Sequence, residues 1–375
     1  MARKLKSDKV LFLATLMLVC VSVVMVYSAS AVLAMGRFQQ PPWFFLLKQV
    51  IWAVLGIGLL AAAMRVDYRL LRRPLVIRAG LAISVAALIV VFFGPAINGT
   101  RRWFSIGGIG IQPSELAKVA VIVFTAAILE RRMEKMDRVA HALAPVVLVT
   151  GLVCGLIVLE PDFGTAFTLL MIVGAMVFAA GVPYRHLAGL TVFLVPLLFA
   201  VLLSAPYRVQ RVLAFLDPWA DPQGAGYQVI QSQIAVGTGG LLGQGLMAGV
   251  QKLFYLPHPH TDFIYAVIAE EAGLLGALVV LLCFGVILWR GLDIAASAPD
   301  RFGAFLAVGI TMMVTFQAFF NISVVLGLLP TKGIPLPFVS SGGSSLLINL
   351  LAMGILLNVS QHTSEARRMP MVRSA

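Results

Sequence analysis

The chain has 375 residues, of which 60% are hydrophobic and only 12% charged; its mean hydropathy is +0.97 and its net charge +12 at pH 7. A water-soluble globular domain does not carry so apolar a composition, so the sequence indicates a polytopic membrane protein. The positive surplus would suggest nucleic-acid binding in a soluble chain, but here its placement has a topological explanation and no nucleic-acid partner is expected.

Ten apolar stretches approach or exceed the ~20 residues that cross a bilayer core as helix: 10–34, 43–64, 75–93, 113–129, 139–159, 163–181, 187–204, 263–289, 303–328 and 341–360. The first follows basic residues and contains Ser28-Ala29-Ser30-Ala31, which resembles a small-residue cleavage site, but the run is too long for a signal peptide and reads as an uncleaved helix. Basic residues gather in alternate connections: Arg3 to Lys9, Arg65 to Arg78, Arg131 to Arg138, then Arg185, Arg290 and Arg301, and finally Arg367 to Arg373. By the positive-inside rule these connections and both termini are cytoplasmic. Cys20, Cys154 and Cys283 lie in apolar segments without metal-ligand spacing and read as packing residues. The expected fold is all-α: a single integral membrane domain, 1–375, with about ten transmembrane helices. A large extracytoplasmic loop, 205–262, joins helices seven and eight, and a short cytoplasmic tail covers 361–375.

Two outer connections are long for so compact a chain, 94–111 and 205–262, and loops of that length usually carry function. In the second, Tyr227, Ile230, Ile234 and Val236 have partly helical spacing and suggest a segment lying along the outer membrane surface. Gly237, Gly239, Gly240, Gly243 and Gly245 follow; without a strand–loop–helix context they read as a mobile loop sooner than as a phosphate cradle.

The loop ends in His260-Thr261-Asp262, just before an apolar helix. An acid there is either an ordinary helix N-cap or a base, and His258, His260, Lys252, Arg208 and Arg211 nearby could meet an anionic ligand. Glu115 and Lys118 share a helix face as an intramembrane charge pair, structural or functional. Upstream, Arg101 and Arg102 offer guanidinium forks suited to phosphate, or an interfacial anchor beside Trp103. Glu160 and Asp162 share a tight outer turn, where a divalent ion or a helix cap would account for the acids, and Glu270 and Glu271 lie within the eighth segment with at least one facing the bundle. The run 329–345 holds three prolines and cannot be regular helix, so it reads as a cavity wall.

Five blocks in order, NGTRRWFSIGGIGIQPSELAK (98–118), LEPDFGT (159–165), FLDPWADPQGAGYQVIQSQIAVGTGGLLGQGL (215–246), LPHPHTDFIYAVIAEEAG (256–273) and LPTKGIPLPFVSSGGSSL (329–346), strongly resemble the SEDS family, the FtsW/RodA/SpoVE proteins of bacterial cell-wall synthesis. The 330–338 and 159–165 forms look more like the division-type branch than the elongation-type branch, and Ser341 stands where the family often has Tyr. The resemblance implies a peptidoglycan glycosyltransferase of the inner membrane, at the division septum, polymerising lipid II. It implies Asp262 as the essential outer carboxylate and general base. Substrate-cavity candidates are then Arg102, Glu115, Lys118, His260, Thr261, Lys332, Ser340, Gly342 and Gly343. It also implies a class B penicillin-binding protein as partner, beside other divisome or elongasome membrane proteins. Mg2+ or Mn2+ is a candidate ion and no organic cofactor is expected. The competing readings are a lipid II flippase, since ten helices with intramembrane charge also suit alternating access, an elongation-type polymerase, and a membrane scaffold.

Overall fold

A computed structural model of the chain describes residues 7–95, 100–106, 109–132 and 139–366. Asn98 and Gly99, basic residues Arg3, Lys4, Lys6, Lys135 and Arg138, and the tail from 367 onward lie outside the described residues. The helices are α1 (Lys9–Gly36), α2 (Phe44–Ala63), α3 (Pro74–Val91), α4 (Pro113–Arg132), α5 (Val139–Leu159), α6 (Phe163–Ala179), α7 (Tyr184–Leu203), α8 (Pro206–Leu216), α9 (Tyr227–Gly239), α10 (Ile264–Ala296), α11 (Arg301–Val325) and α12 (Gly343–Ala366). Among the described residues seven of these, α1, α2, α3, α7, α10, α11 and α12, are long and apolar enough to cross a membrane. The shorter apolar stretches Leu143–Leu159 and Phe163–Ala179, together with α4, whose Glu115 and Lys118 lower its hydropathy, make up the remaining three expected spans. Among the described residues one hairpin interrupts the helices, in the 94–111 connection, where β1 (Phe104–Ile106) pairs antiparallel with β2 (Ile109–Ile111).

α11 and α12 are buried along most of their length, α11 against α4, α6 and α10, and α12 against α2. α7 is the opposite case: none of its residues is fully buried, although Leu187 packs against the core and Leu202 turns toward the interior. The connections assigned to the cytoplasm meet one another at one end of the bundle. There Asp8 pairs with Arg290, Tyr68 donates 2.5 Å to Asp300, and Arg72 meets Glu130. Burial and the Asp300 carboxylate push the Tyr68 phenol well above its usual range. The connections assigned outside meet at the other end, where Tyr207 donates to the Pro161 carbonyl.

The 205–262 connection is folded, and it does not simply lie on the membrane surface. α9 packs on α10 and α11. The glycine run after it is a fitted plug. Helix α10 breaks at Gly273 (φ 65°, ψ −166°), which frees backbone groups at membrane depth. Those groups need partners inside the protein. Gly240 and Leu241 carbonyls accept from Leu274 and Leu275 N–H (2.9 and 3.3 Å), while Gln244 and Gly245 N–H donate to the Glu270 and Glu271 carbonyls (both 3.0 Å). A Cβ on Gly239 or Gly243 would overlap the α10 backbone, and Gly240 and Gly245 hold positive φ, so close approach and backbone conformation, not mobility, explain these four glycines.

The same contact disposes of three charges. Glu271 accepts from Ser28 of α1 (2.7 Å), from Met247 N–H (3.0 Å) and from Lys252, whose ammonium lies 2.5 Å away. Glu270 accepts from Val250 and Gln251 N–H at 2.7 and 3.0 Å. Lys252 is therefore buried and paired, and it is not an outer cation open to a ligand.

Candidate functional site

The His260–Asp262 triplet is held by its backbone. Its three carbonyls accept from three donors outside the loop: His260 O from Ser341 N–H (2.9 Å), Thr261 O from the Ser340 hydroxyl (2.6 Å), and Asp262 O from Asn321 Nδ2 on α11 (2.7 Å). The N-cap position of α10 falls to Phe263, and no side chain caps it. Among the described residues the Asp262 carboxylate makes no hydrogen bond, so capping does not account for it. The group is half-buried against Gly333, where a Cβ would come within 3.2 Å of its Oδ2. Burial raises its pKa above the ordinary carboxylate value; His258, Arg211 and Arg102 pull it down, and Asp162 pushes it up.

Gly333 also lines a cavity of about 130 Å³. Its walls come from the Pro161–Gly164 turn, from Leu202, Tyr207 and Val212 at the α7–α8 junction, and from 330–333, and four cations face into it: Arg102, Arg208, Arg211 and Lys332. Lys332 has no acidic partner among the described residues. Its ammonium sits 4.4 Å from the ring centroid of Phe167, 5.3 Å from Phe163 and 5.8 Å from Phe320. Burial in that cage lowers its pKa to about 8. Arg102 grips the turn through the carbonyls of Glu160 (2.8 Å) and Pro161. Asp162 is used as the cap of α6, accepting from Thr165 N–H (3.1 Å) and hydroxyl (2.8 Å), and it takes a third bond from Gln112 (3.2 Å). Glu160 is buried with neither carboxyl oxygen partnered among the described residues; burial, then Asp162, raise its pKa to about 8 against the pull of Arg102.

Glu115 and Lys118 form a buried pair at 2.8 Å. They do not line the cavity, but a polar relay connects them to its wall. Ser345 lies 3.4 Å from Glu115, Ser344 accepts from Gln112 N–H at 3.2 Å, and the Gln112 side chain reaches Asp162. His260 packs its ring 4.9 Å from Phe45, and burial followed by His258 lowers its pKa to about 4, so it is neutral at physiological pH and adds no charge to the site. Gly343 lies under the Trp52 indole, which a Cβ would overlap; Gly342 has room for one. The residues singled out thus fall into a cavity set (Arg102, Lys332), a loop-holding set (Thr261, Ser340), a neutral flank (His260), a close-packing glycine (Gly343) and a remote pair (Glu115, Lys118).

Sequence reasoning passed over Asn321, a lone amide in an apolar helix; it set Arg208 and Arg211 near Asp262 as groups that could meet an anion, and the structure puts both on the cavity wall. For the arginines the readable signal was their i,i+3 spacing on the amphipathic stretch Pro206–Leu216. Asp162 is taken up in capping α6, and among the described residues no group of three His, Cys, Asp or Glu side chains stands together to hold a metal. What the arrangement can do is take a proton at a free carboxylate while stabilising an anion about one residue away.

A membrane bundle that sets an uncommitted outer carboxylate beside a cation-lined cavity defines a class: a protein handling an anionic substrate at the membrane's outer face. The chain matches the FtsW/RodA/SpoVE family, described as cell cycle proteins, over residues 8–365, and belongs to that family. It is 43% identical over 354 residues to the probable peptidoglycan glycosyltransferase FtsW of Geobacter metallireducens, covering 94% of each chain. It is 40% identical to the stage V sporulation protein E of Bacillus subtilis, covering 96% of this chain and 99% of the relative. Among solved structures it resembles a chain of a peptidoglycan synthase complex that coordinates polymerization and crosslinking (TM-score 0.78, 32% identity, 96% and 99% covered). It also resembles the rod shape determining protein RodA of Thermus thermophilus (TM-score 0.71, 29% identity, 98% and 99% covered).

Proposed function

We propose that this chain is a peptidoglycan glycosyltransferase, a single membrane domain that polymerises lipid II into β-1,4 glycan strands outside the cytoplasmic membrane, during septal wall synthesis. The observation that carries the reading is the Asp262 carboxylate, unbonded among the described residues, beside a cavity lined by four cations. Relatives named FtsW at 43% identity support the division assignment over an elongation role.

The chemistry follows from the placement. Asp262 takes the proton of the acceptor sugar's hydroxyl; the oxygen attacks the donor's anomeric carbon; the bond from that carbon to the pyrophosphate oxygen breaks, and its electron pair leaves with the lipid pyrophosphate. Direct displacement inverts the α-linked donor to a β link. The leaving group is already good, so cationic stabilisation matters more than an acid, and Lys332, Arg102, Arg208 and Arg211 supply it. A divalent ion that arrives on the pyrophosphate belongs to the substrate. Ser340 and Thr261 hold the base's loop, and Glu115 with Lys118 stabilises the α4 wall through the Gln112 relay.

The test is lipid II polymerisation by purified protein in detergent, with a class B penicillin-binding protein present. Asp262→Ala and Asp262→Asn are both expected to abolish glycan formation while the protein stays folded. Near-normal synthesis by the Asn variant would remove the base assignment. The flippase reading is decided in the same assay, because transport needs two compartments and polymerisation needs none. Translocation in sealed vesicles with no polymer in detergent would favour it.

A further inference from the structure

Asp262 owes its place to donors from elsewhere in the fold, and one of them, Asn321, stands on a third element. Asn321 lies in α11 among Phe319, Phe320, Ile322 and Val324, and is itself buried. Its Nδ2 bonds two backbone carbonyls on different segments, Asp262 O at 2.7 Å and Ile334 O at 2.8 Å. Its Oδ1 is buried with no partner among the described residues. An amide with an orphaned acceptor is a costly choice where an apolar side chain would pack without loss. The cost makes sense if the two donors are needed.

We propose that Asn321 is a positioning residue for glycosyl transfer: its carboxamide ties the residue bearing the base to the segment bearing Lys332, and so fixes where the proton is taken relative to where the leaving diphosphate is received. The inference rests on the reading of Asp262 as base. Ser340 and Ser341 also join the two segments, but both belong to one of them. Asn321 stands on a third element, α11, which is among the most buried helices of the bundle. The bond to a main-chain carbonyl matters for the chemistry too. It restrains Asp262 without using a carboxylate lone pair, so both oxygens remain open to the acceptor hydroxyl. Displacement at one carbon places attacker and leaving group on opposite faces, and an error of about 1 Å in their separation costs orders of magnitude in rate.

The experiment compares wild type, Asn321→Leu, Asn321→Asp and Asp262→Asn, as full chains with the transpeptidase partner, measuring lipid II polymerisation in detergent across about pH 5 to 9. Asn321→Leu keeps the shape and removes both donors. It is expected to lower kcat at least ~10-fold while KM changes less than ~2-fold, since the cation-lined cavity is intact. The acid limb of its pH profile is expected to move down, towards the ordinary carboxylate range, because an untethered Asp262 gains water. In the leucine variant His258, Arg211, Asp162 and Arg102, the charged or titratable groups that face it, are unchanged; the aspartate variant adds a like charge of its own and is read by its rate. A purely structural loss would scale the profile without moving the limb. Asn321→Asp keeps a polar group, guards against a leucine variant that does not fold, and retains one donor while protonated; an intermediate kcat is expected. An acid limb at the wild-type pH in Asn321→Leu overturns the proposal, whether or not the rate is scaled down; if the leucine variant does not fold, a wild-type kcat in Asn321→Asp overturns it. If Asp262→Asn is inactive in that case, the positioning role alone falls; if Asp262→Asn polymerises at the wild-type rate, the base reading and this proposal fall together.

Discussion

At the scale of single residues, the proposed mechanism gives two groups beside the cavity opposite limbs of a pH profile. Asp262 must be ionised to act as a base, so kcat/KM falls as pH drops through its raised pKa. Lys332 must be charged to hold a diphosphate. Its pKa is lowered to about 8, so its contribution is present below that value and lost as pH rises through it. The expected profile is a bell whose alkaline limb lies near 8. Lys332→Arg, charged at every working pH, should move that limb upward. Glu160 also titrates at about 8, so Glu160→Gln serves as the control; an alkaline limb that moves in the Gln variant and stays put in the Arg variant would reassign it. The Glu115–Lys118 pair calls for a different measurement. Removing one buried partner strands the other, at a cost of ~3–5 kcal/mol. The double variant Glu115→Ala/Lys118→Ala should therefore be more stable than the sum of the single losses predicts. Additive losses in thermal unfolding would mean that the 2.8 Å contact contributes no coupling. The pair was legible in the sequence because three-residue spacing on a helix forces proximity. Asn321 was not, since one amide in an apolar run looks the same whether it bonds a neighbouring helix or a catalytic loop.

At the scale of elements, the ten spans were legible because lipid demands a length and a polarity that few other segments share. The glycine run 237–245 was not, because its purpose lies in another element: the break at Gly273 of α10 creates the unpaired groups that Gly240–Gly245 satisfy. A glycine-rich sequence alone gives permissive backbone, and that reads as mobility until the partner is known. The fit has a direct consequence. Gly243→Ala places a methyl onto the Glu271 backbone at a position with φ +83°, so both space and conformation oppose it. It should destabilise by more than ~1 kcal/mol, read as a fall in the unfolding midpoint of the purified protein. Gly181→Ala is the matched control, with positive φ (75°) but open space around the Cβ. Equal losses in the two variants would show that backbone strain acts alone and that the plug contact adds nothing.

At the scale of the whole molecule, one part of the site is anchored and one is not. Asp262 and the 330–341 segment are fixed to α11 by hydrogen bonds, and the 240–252 plug is fixed to α10 and α1. Arg208 and Arg211 ride on α8, which follows α7, the helix with no fully buried residue. Two of the four cavity cations thus depend on the least restrained span, and a partner that settles α7 and α8 would raise the population of the complete site. A peptide cross-linking enzyme is the partner that the product's chemistry calls for, because glycan strands strengthen a wall only when joined. The surface we propose for a single-pass transpeptidase is the apolar face of α10, where Leu274, Leu278, Leu281 and Leu282 are exposed by 40 to 65%. α10 carries α9, and the Pro218–Ala220 turn contacts both α9 and α8, so docking on that face would reach α8, and with it Arg208 and Arg211, through α9. The purified chain alone is expected to polymerise lipid II slowly, and addition of the transpeptidase should accelerate it at least ~10-fold, an effect on kcat more than on KM if the missing factor is the population of assembled sites. Replacing the four leucines together by alanine, which preserves apolarity but removes the ridges, should weaken that acceleration while leaving the basal rate in place. Full-rate polymerisation by the isolated chain, unchanged when the transpeptidase is added, would show that the α7–α8 cations are already in position and need no partner to bring them there.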